Sequence, residues 1–249
     1  MEDGVWSESA GTPQGASASP LLANVYLHYV LDLWVEWWRR HRARGDVIIV
    51  RFADDFICGF QHQQDARRFL YDLRRRMAKF SLDLHPGKTR LIEFGRFAAA
   101  NRAARGLGKP ETFAFLGFTH VCATTRNGWF QLKRITIAKR MRASLREVRD
   151  QLRKRMHLPI PEQGRWLASV VRGHMAYYAV PGNVQAVAAF RDQVTWYWFK
   201  TLRRRSQRTT VNWARMSRIE ARWLPRPRVM HPYPDKRFDA RTRGRSPVR

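Results

Sequence analysis

Two short apolar runs around a pair of adjacent acids restrict the fold of this chain more than any other stretch. Val47-Ile48-Ile49-Val50-Arg51-Phe52 and Phe56-Ile57-Cys58-Gly59-Phe60 flank Ala53-Asp54-Asp55. Val, Ile and Phe favour strands, and so short a break between two such runs points to an antiparallel hairpin with an acidic turn. Helical patterns lie on either side. Residues 19–40 carry Leu22, Tyr26, Tyr29 or Val30, Leu33 and Trp37 at three-to-four spacing, with Ser19 as N-cap and Pro20 as the first helical residue. Residues 64–80 carry Ala66, Phe69, Leu70, Leu73, Met77 and Phe80 on one face. The front of the chain therefore reads as α+β.

Further along, His85-Pro86-Gly87 is a turn and Leu91-Ile92-Glu93-Phe94 a strand. Residues 95–111 are small and basic and read as a mobile loop. Phe113 to Val121 and Trp129 to Ile135 read as paired strands joined through Asn127-Gly128. After residue 136 the character changes to helices over 137–156, 162–180 and 183–205, the last two separated by Pro181-Gly182. From Pro225 onward, Pro227, Pro232 and Pro234 stand among many arginines, so an extended or disordered end is expected. The expected organisation is an α+β region over 1–136, a helical region over 137–215 and a basic, Pro-rich tail over 216–249.

Charge divides the chain in the same sense. Of 47 basic and 20 acidic residues, giving a net +27, residues 1–125 hold 17 and 13, whereas residues 126–249 hold 30 and 7. A near-neutral front joined to a strongly cationic back is the signature of polyanion binding, with nucleic acid as the default polyanion. Arg204, Arg205 and Arg208, with Arg203 beside them, form a cationic run without acids and are the leading candidates for phosphate contact. Interleaved Trp166, Trp196, Trp198, Trp213 and Trp223 suit base stacking, although helical-core packing is the plainer expectation for Trp166, Trp196 and Trp213. Two cysteines, Cys58 and Cys122, with no CxxC spacing, exclude a disulfide framework and a four-cysteine zinc module. The most apolar stretch, residues 20–38, is interrupted by Asn24, His28, Asp32 and Glu36, which argues against a membrane span, and a cytoplasmic location is expected.

Two neighbouring carboxylates on a hydrophobic hairpin repel each other and gain nothing from packing. Mg²⁺ relieves that repulsion, since it takes carboxylate oxygens and leaves sites for water and phosphates. A solvated turn is the competing reading, because Asp favours turns. Upstream, Gly11-Thr12-Pro13-Gln14-Gly15 precedes a helix start and offers free amides and a side-chain amide to a phosphate, base or sugar.

These segments occur in an order that resembles the reverse transcriptases encoded by bacterial group II introns. The residues carrying the resemblance are Gly11 to Gly15, Ser19-Pro20-Leu21-Leu22-Ala23-Asn24, Arg51-Phe52-Ala53-Asp54-Asp55, Leu84-His85-Pro86-Gly87-Lys88-Thr89 and Phe115-Leu116-Gly117-Phe118. Gly164-Arg165-Trp166, Tyr177-Tyr178, Pro181-Gly182-Asn183 and Arg204-Arg205-Ser206-Gln207 extend it. The resemblance implies a partial reverse-transcriptase palm followed by a helical thumb and maturase region. It implies that Asp54 and Asp55 are the catalytic, Mg²⁺-holding pair. Gln14, Gly15, Phe52, Ala53 and Lys88 would lie against template and nucleotide, and Phe115, Leu116, Gly117 and Phe118 would grip the primer. Phe52 stands where the family usually has Tyr. The implied partners are deoxynucleotide triphosphates, template–primer duplex and group II intron RNA.

The same resemblance implies a fingers region and a further palm carboxylate upstream of Gly11. The expectation is therefore an N-terminally truncated form that polymerises poorly alone, with an upstream reverse-transcriptase fragment as a possible partner. A different class stays open: a non-catalytic maturase that binds intron RNA and assists splicing.

Overall fold

The hairpin forms where the two apolar runs predict it. In a computed structural model describing residues 18–205 and 211–232, β1 (Val47–Phe52) pairs antiparallel with β2 (Asp55–Phe60). Phe52 faces Asp55 across the ladder, so the connection is the two-residue loop Ala53-Asp54. The described chain divides into two compact units, one ending at Ile92 and one starting at Glu93. Both are α+β, with small antiparallel sheets and packed helices.

In the first unit, α1 (Ser19–Leu27) runs through a π-helical turn (His28–Asp32) into α2 (Leu33–His41), and α3 (Gln63–Ala78) follows the hairpin. The N-cap of α1 is Ala18 rather than Ser19, and no side chain caps it. Of the expected apolar face of this helix only Val30 is buried. Leu22, Tyr26, Tyr29, Leu33 and Trp37 are exposed, whereas Val30, Leu31, Val35 and Trp38 are buried. A π turn inserts one extra residue into the helical cycle, so a regular spacing read across it selects the wrong stripe. α3 has no such interruption, and Ala66, Phe69, Leu73 and Met77 are buried as its pattern predicts. Trp38 meets Phe69 and Phe60 edge-on, at ring-centroid distances of 5.0 and 6.2 Å. Each such pair contributes about 0.5–1.5 kcal/mol beyond area burial. Buried Asp65 accepts hydrogen bonds from the Arg44 and Gly45 amides at 2.8 and 3.1 Å, which fixes the loop leading into β1.

In the second unit, α4 (Ala98–Ala104) replaces the expected loop, and 91–94 has no strand partner among the described residues. Glu93 instead pairs with Arg105, and Phe94 lies edge-on to Phe113. The next strands are β3 (Phe113–Phe115), β4 (Phe118–Thr124) and β5 (Phe130–Thr136), in the order β3-β4-β5. The run expected as one strand from Phe113 is split by a second tight loop, Leu116-Gly117, with φ of +46° and +80°. A two-residue loop with both φ values positive suits the twist of a hairpin.

The helices α5 (Ala138–Lys154), α6 (Ile160–Tyr178) and α7 (Val184–Arg203) match the sequence pattern, including the break at Pro181-Gly182. α8 (Trp213–Trp223), which that pattern did not reveal, carries a fully buried Met216 into the same core. Its N-cap Asn212 accepts from the Arg215 amide at 2.9 Å. Leu152, Leu167, Val171, Val194, Trp198 and Leu202 complete that core. Of the tryptophans expected inside, Trp166 is half-buried, while Trp196 and Trp213 are exposed. Trp198 takes the interior place, because its indole N–H finds the Gln163 Oε1 at 2.7 Å.

His174 lies flat on Phe190 at 3.7 Å between centroids, with Nε2 buried and unpartnered among the described residues. Burial pushes its pKa from 6.5 down to about 4. The folded state thus holds neutral imidazole, and its contribution is complete above pH 6.5 and lost as pH falls towards 4. We expect urea melts to show the helical unit about 1–2 kcal/mol less stable at pH 5 than at pH 7 through this group. His174→Phe should remove that increment, and an unchanged pH slope in the variant would contradict the assignment.

Candidate active site and nucleic-acid interface

Asp54 is the second residue of the β1–β2 loop, and Asp55 opens β2. Both are exposed, and neither has a hydrogen-bond or ion-pair partner among the described residues. The loop is strained: Ala53 sits at φ +53°, a region that costs a non-glycine residue about 1–2 kcal/mol. It is also held. Arg51 Nη1 donates to the Ala53 carbonyl at 2.9 Å and to Asn24 Oδ1 at 3.0 Å. The same guanidinium forks onto Asp32, with Nε to Oδ1 at 2.8 Å and Nη2 to Oδ2 at 2.6 Å. Two side chains from the α1–π segment therefore fix the arginine that fixes the acidic loop.

That clamp has a pH signature. The Arg51 hydrogen bonds hold the Asp32 carboxyl below its ordinary value of 3.8, with the nearby charge of Arg51 and a His28 hydrogen bond adding to the effect against burial. The stabilisation is present above about pH 3.8 and is lost as pH falls through the lower, folded value. Arg51→Gln is expected to destabilise the first unit by about 1–3 kcal/mol at neutral pH. Below pH 3.8 the difference between the two proteins should narrow, which paired denaturant melts can read. A difference independent of pH would contradict the role given to Asp32.

Two adjacent carboxylates free of protein partners are an oxygen donor set that suits Mg²⁺, which commonly takes one or two carboxylates and completes its shell with water and phosphates. Among the described residues, no group of three or more His, Cys, Asp and Glu gathers that could hold a metal. The fit is thus to two ligands from this chain, Asp54 and Asp55. Phe52 is exposed beside them, on the same face of β1 as exposed Ile48 and Val50. Lys88 is exposed on the turn after His85, whose Nδ1 accepts from the Gly87 amide at 3.1 Å. Gln14 and Gly15 lie outside the described residues, as does Arg208.

The hairpin Phe115-Leu116-Gly117-Phe118 is braced from α6. Tyr177 donates its hydroxyl hydrogen to the Leu116 carbonyl at 2.8 Å, and its ring stacks on Phe118 at 5.9 Å. A Cβ at Gly117 would stand 3.2 Å from the Tyr178 hydroxyl, a tight contact, and its φ of +80° favours glycine. Asn183 joins the start of α7 to the end of β5: its Oδ1 accepts from the Thr136 amide, and its Nδ2 donates to Thr136 Oγ1. Tyr177 and Tyr178 are therefore supports of the hairpin, a role their sequence context left open.

At the end of α7, Arg203 and Arg204 are exposed, with Arg203 lying over the Phe199 ring. Arg205 differs: it donates to the Leu158 carbonyl, and its Nε is buried without a partner among the described residues. Exposed Trp196 carries Lys200 at 3.6 Å over its ring, and exposed Trp213 stacks on Phe199 at 4.2 Å. Trp196 and Trp213 line one hollow of the α7–α8 pair together with Asp192 and Glu220. Among the described residues, no helix is long and apolar enough to cross a membrane.

Sequence reading missed Asp32 and Asn24 as partners of the acidic loop. Their signal was chemical type alone, a carboxylate and an amide in a mostly apolar stretch that also holds His28 and Glu36, and nothing local connects them to Arg51. No curated protein matches the chain. Residues 2–120, just under half of the chain and containing both the acidic hairpin and the Leu116-Gly117 loop, match the family model described as reverse transcriptase (RNA-dependent DNA polymerase).

Proposed function

We propose that this chain is an RNA-directed DNA polymerase of group II intron type, with a maturase-like helical region that binds RNA. The observation that carries the reading is the acidic loop: two partnerless carboxylates on a strained, arginine-clamped hairpin within the matched region. Asp54 and Asp55 would hold Mg²⁺, which when bound supplies charge neutralisation at a nucleotide triphosphate and activation of an attacking 3′ hydroxyl. The chain's own residues do the rest. Arg51 and Asp32 keep the two carboxylates facing out of the hairpin. Phe52 and Ala53 offer an apolar surface to a base or sugar, Gln14 and Gly15 meet template and nucleotide, and Lys88 meets phosphate. Phe115 to Phe118 hold the primer end, steadied by Tyr177. The cationic helices α5 to α8, with Arg203, Arg204, Arg205 and Arg208, take the duplex and the intron RNA.

A second reading, a splicing factor that binds intron RNA without catalysis, is favoured by one observation. No third acidic side chain joins Asp54 and Asp55 in a metal-holding group among the described residues. Primer extension on an RNA template with the full chain and Mg²⁺ separates the two. The polymerase reading expects slow, template-dependent incorporation that vanishes when Asp54 is changed to Asn. Absent incorporation, combined with RNA affinity that falls steeply with salt, would overturn it in favour of the splicing factor.

A further inference from the structure

A groove of about 230 Å³ lies between α2 and α3 in the first unit, and none of its residues belongs to the acidic loop. It is smaller than the pockets of about 300–1,000 Å³ that enclose drug-sized ligands, so it admits a single flat or anionic group rather than a whole small molecule. Trp38 forms its floor and donates its indole N–H to Asp72 Oδ2 at 2.8 Å. The carboxylate that lines the groove is thereby engaged. Trp37 forms one wall and is 46% exposed; His41 stacks on its ring at 5.3 Å, the Arg42 guanidinium lies 5.9 Å from it, and half-buried Trp34 is beside it. Arg42, Arg75 and Lys79 rim the groove, and none has a carboxylate partner among the described residues. Arg76, by contrast, is committed to the fold: it donates to the Val30 carbonyl and lies over Phe80 at 4.4 Å.

Three cations without a carboxylate partner around one exposed indole, Trp37, are not what a solvated helix face needs. Such a face pairs its charges, as Glu36 does with Arg39 and Arg40 on α2. Nor is the exposed Trp37 a core residue, since Trp38 already fills that place. An exposed flat ring set among cations matches a base between phosphates in an unpaired strand, where stacking gives sequence-tolerant affinity and the cations track the backbone.

We propose that this groove binds single-stranded nucleic acid, with a base stacked on Trp37 and phosphates held by Arg42, Arg75 and Lys79. The site adds a strand contact to the first unit. It does not rest on the polymerase reading.

The test uses the full chain and an oligouridylate carrying 4-thiouridine, irradiated and mapped by mass spectrometry. Crosslinks are expected in the peptides containing Trp34 to Arg42 and Arg75 to Lys79. The triple variant Trp37→Ala, Arg75→Glu, Lys79→Glu should lose these crosslinks and bind the oligonucleotide about tenfold more weakly, the order expected for losing a stacked base. All three side chains are exposed, and a circular dichroism melt checks the fold. Should that variant unfold, Lys79→Gln with Trp37→Phe takes its place, and retained crosslinks with a shallower salt dependence are expected. Absence of crosslinks at these peptides in the unaltered chain overturns the proposal. So does protection of the groove by polyglutamate but not by oligouridylate, which would make it an acidic-peptide site. Asp54→Asn with Asp55→Asn should leave the crosslinks in place, so loss of synthesis and loss of groove binding are read separately.

Discussion

Asp54→Asn combined with Asp55→Asn is expected to abolish divalent-ion binding at the hairpin while leaving RNA affinity within about twofold of the unaltered chain. Each substitution keeps size and hydrogen-bonding capacity but removes the charge that attracts a cation. Mn²⁺ titration read by paramagnetic broadening of the Phe52 to Asp55 amide signals is the direct measurement. Any RNA-templated synthesis by the chain should fall by more than the about 10–100-fold that losing a supporting group around a metal site costs. Fold stability should hold or rise slightly, because neither carboxylate has a partner among the described residues and their mutual repulsion is removed. RNA affinity is the discriminating control. Carboxylates do not attract phosphate, so a large loss of affinity in this variant would mean that the acidic loop does something other than hold a cation. Broadening that persists in the double variant would place the ion elsewhere and end the catalytic reading of the hairpin.

Trp198→Ala is expected to destabilise the helical unit by at least about 4 kcal/mol. The ring is fully buried in the core, and truncating a buried Trp costs about 3–5 kcal/mol through lost transfer energy and the cavity left behind. A second cost follows from the hydrogen bond. Gln163 is itself fully buried, and its Oε1 would lose the indole N–H that now satisfies it, at about 1–3 kcal/mol. Trp198→Phe separates the two effects. It keeps most of the apolar volume but orphans Gln163, so a cost of about 1–3 kcal/mol is expected for the polar part. Gln163 also donates from Nε2 to the carbonyls of Arg155 and Met156, which closes the turn after α5. Thermal melts followed at 222 nm give both values. A Trp198→Ala cost below about 1 kcal/mol would mean that this indole is not the centre of the helical core.

Elements with a strong local signal were legible from residues alone. The β1–β2 hairpin follows from a β-branched run, a short acidic break and a second apolar run. The buried face of α3 follows from uninterrupted helical spacing, and the α6–α7 break follows from Pro181-Gly182. Where the local signal was misleading, a specific irregularity explains it. The π turn at His28–Asp32 shifts the helical cycle and so exposes Leu33 and Trp37 in place of Val35 and Trp38. Leu116 is a poor turn residue because its Cβ disfavours positive φ, so the β3–β4 loop carries no clear sequence mark. It is held by a tyrosine that arrives from another element.

Residue type and order were enough to announce an acidic hairpin and a cationic rear half. Charge and strand preference are properties of short segments and survive any path the chain takes. The arrangement around them is different in kind. Asp32 and Asn24 reach Arg51 across 19 and 27 residues, and Tyr177 reaches Leu116 across 61. Which polar groups meet over such separations depends on how the helices pack, because desolvated donors and acceptors must find partners wherever the core brings them. The clamp on the acidic loop, the brace on the second hairpin and the indole-lined groove between α2 and α3 are consequences of that packing.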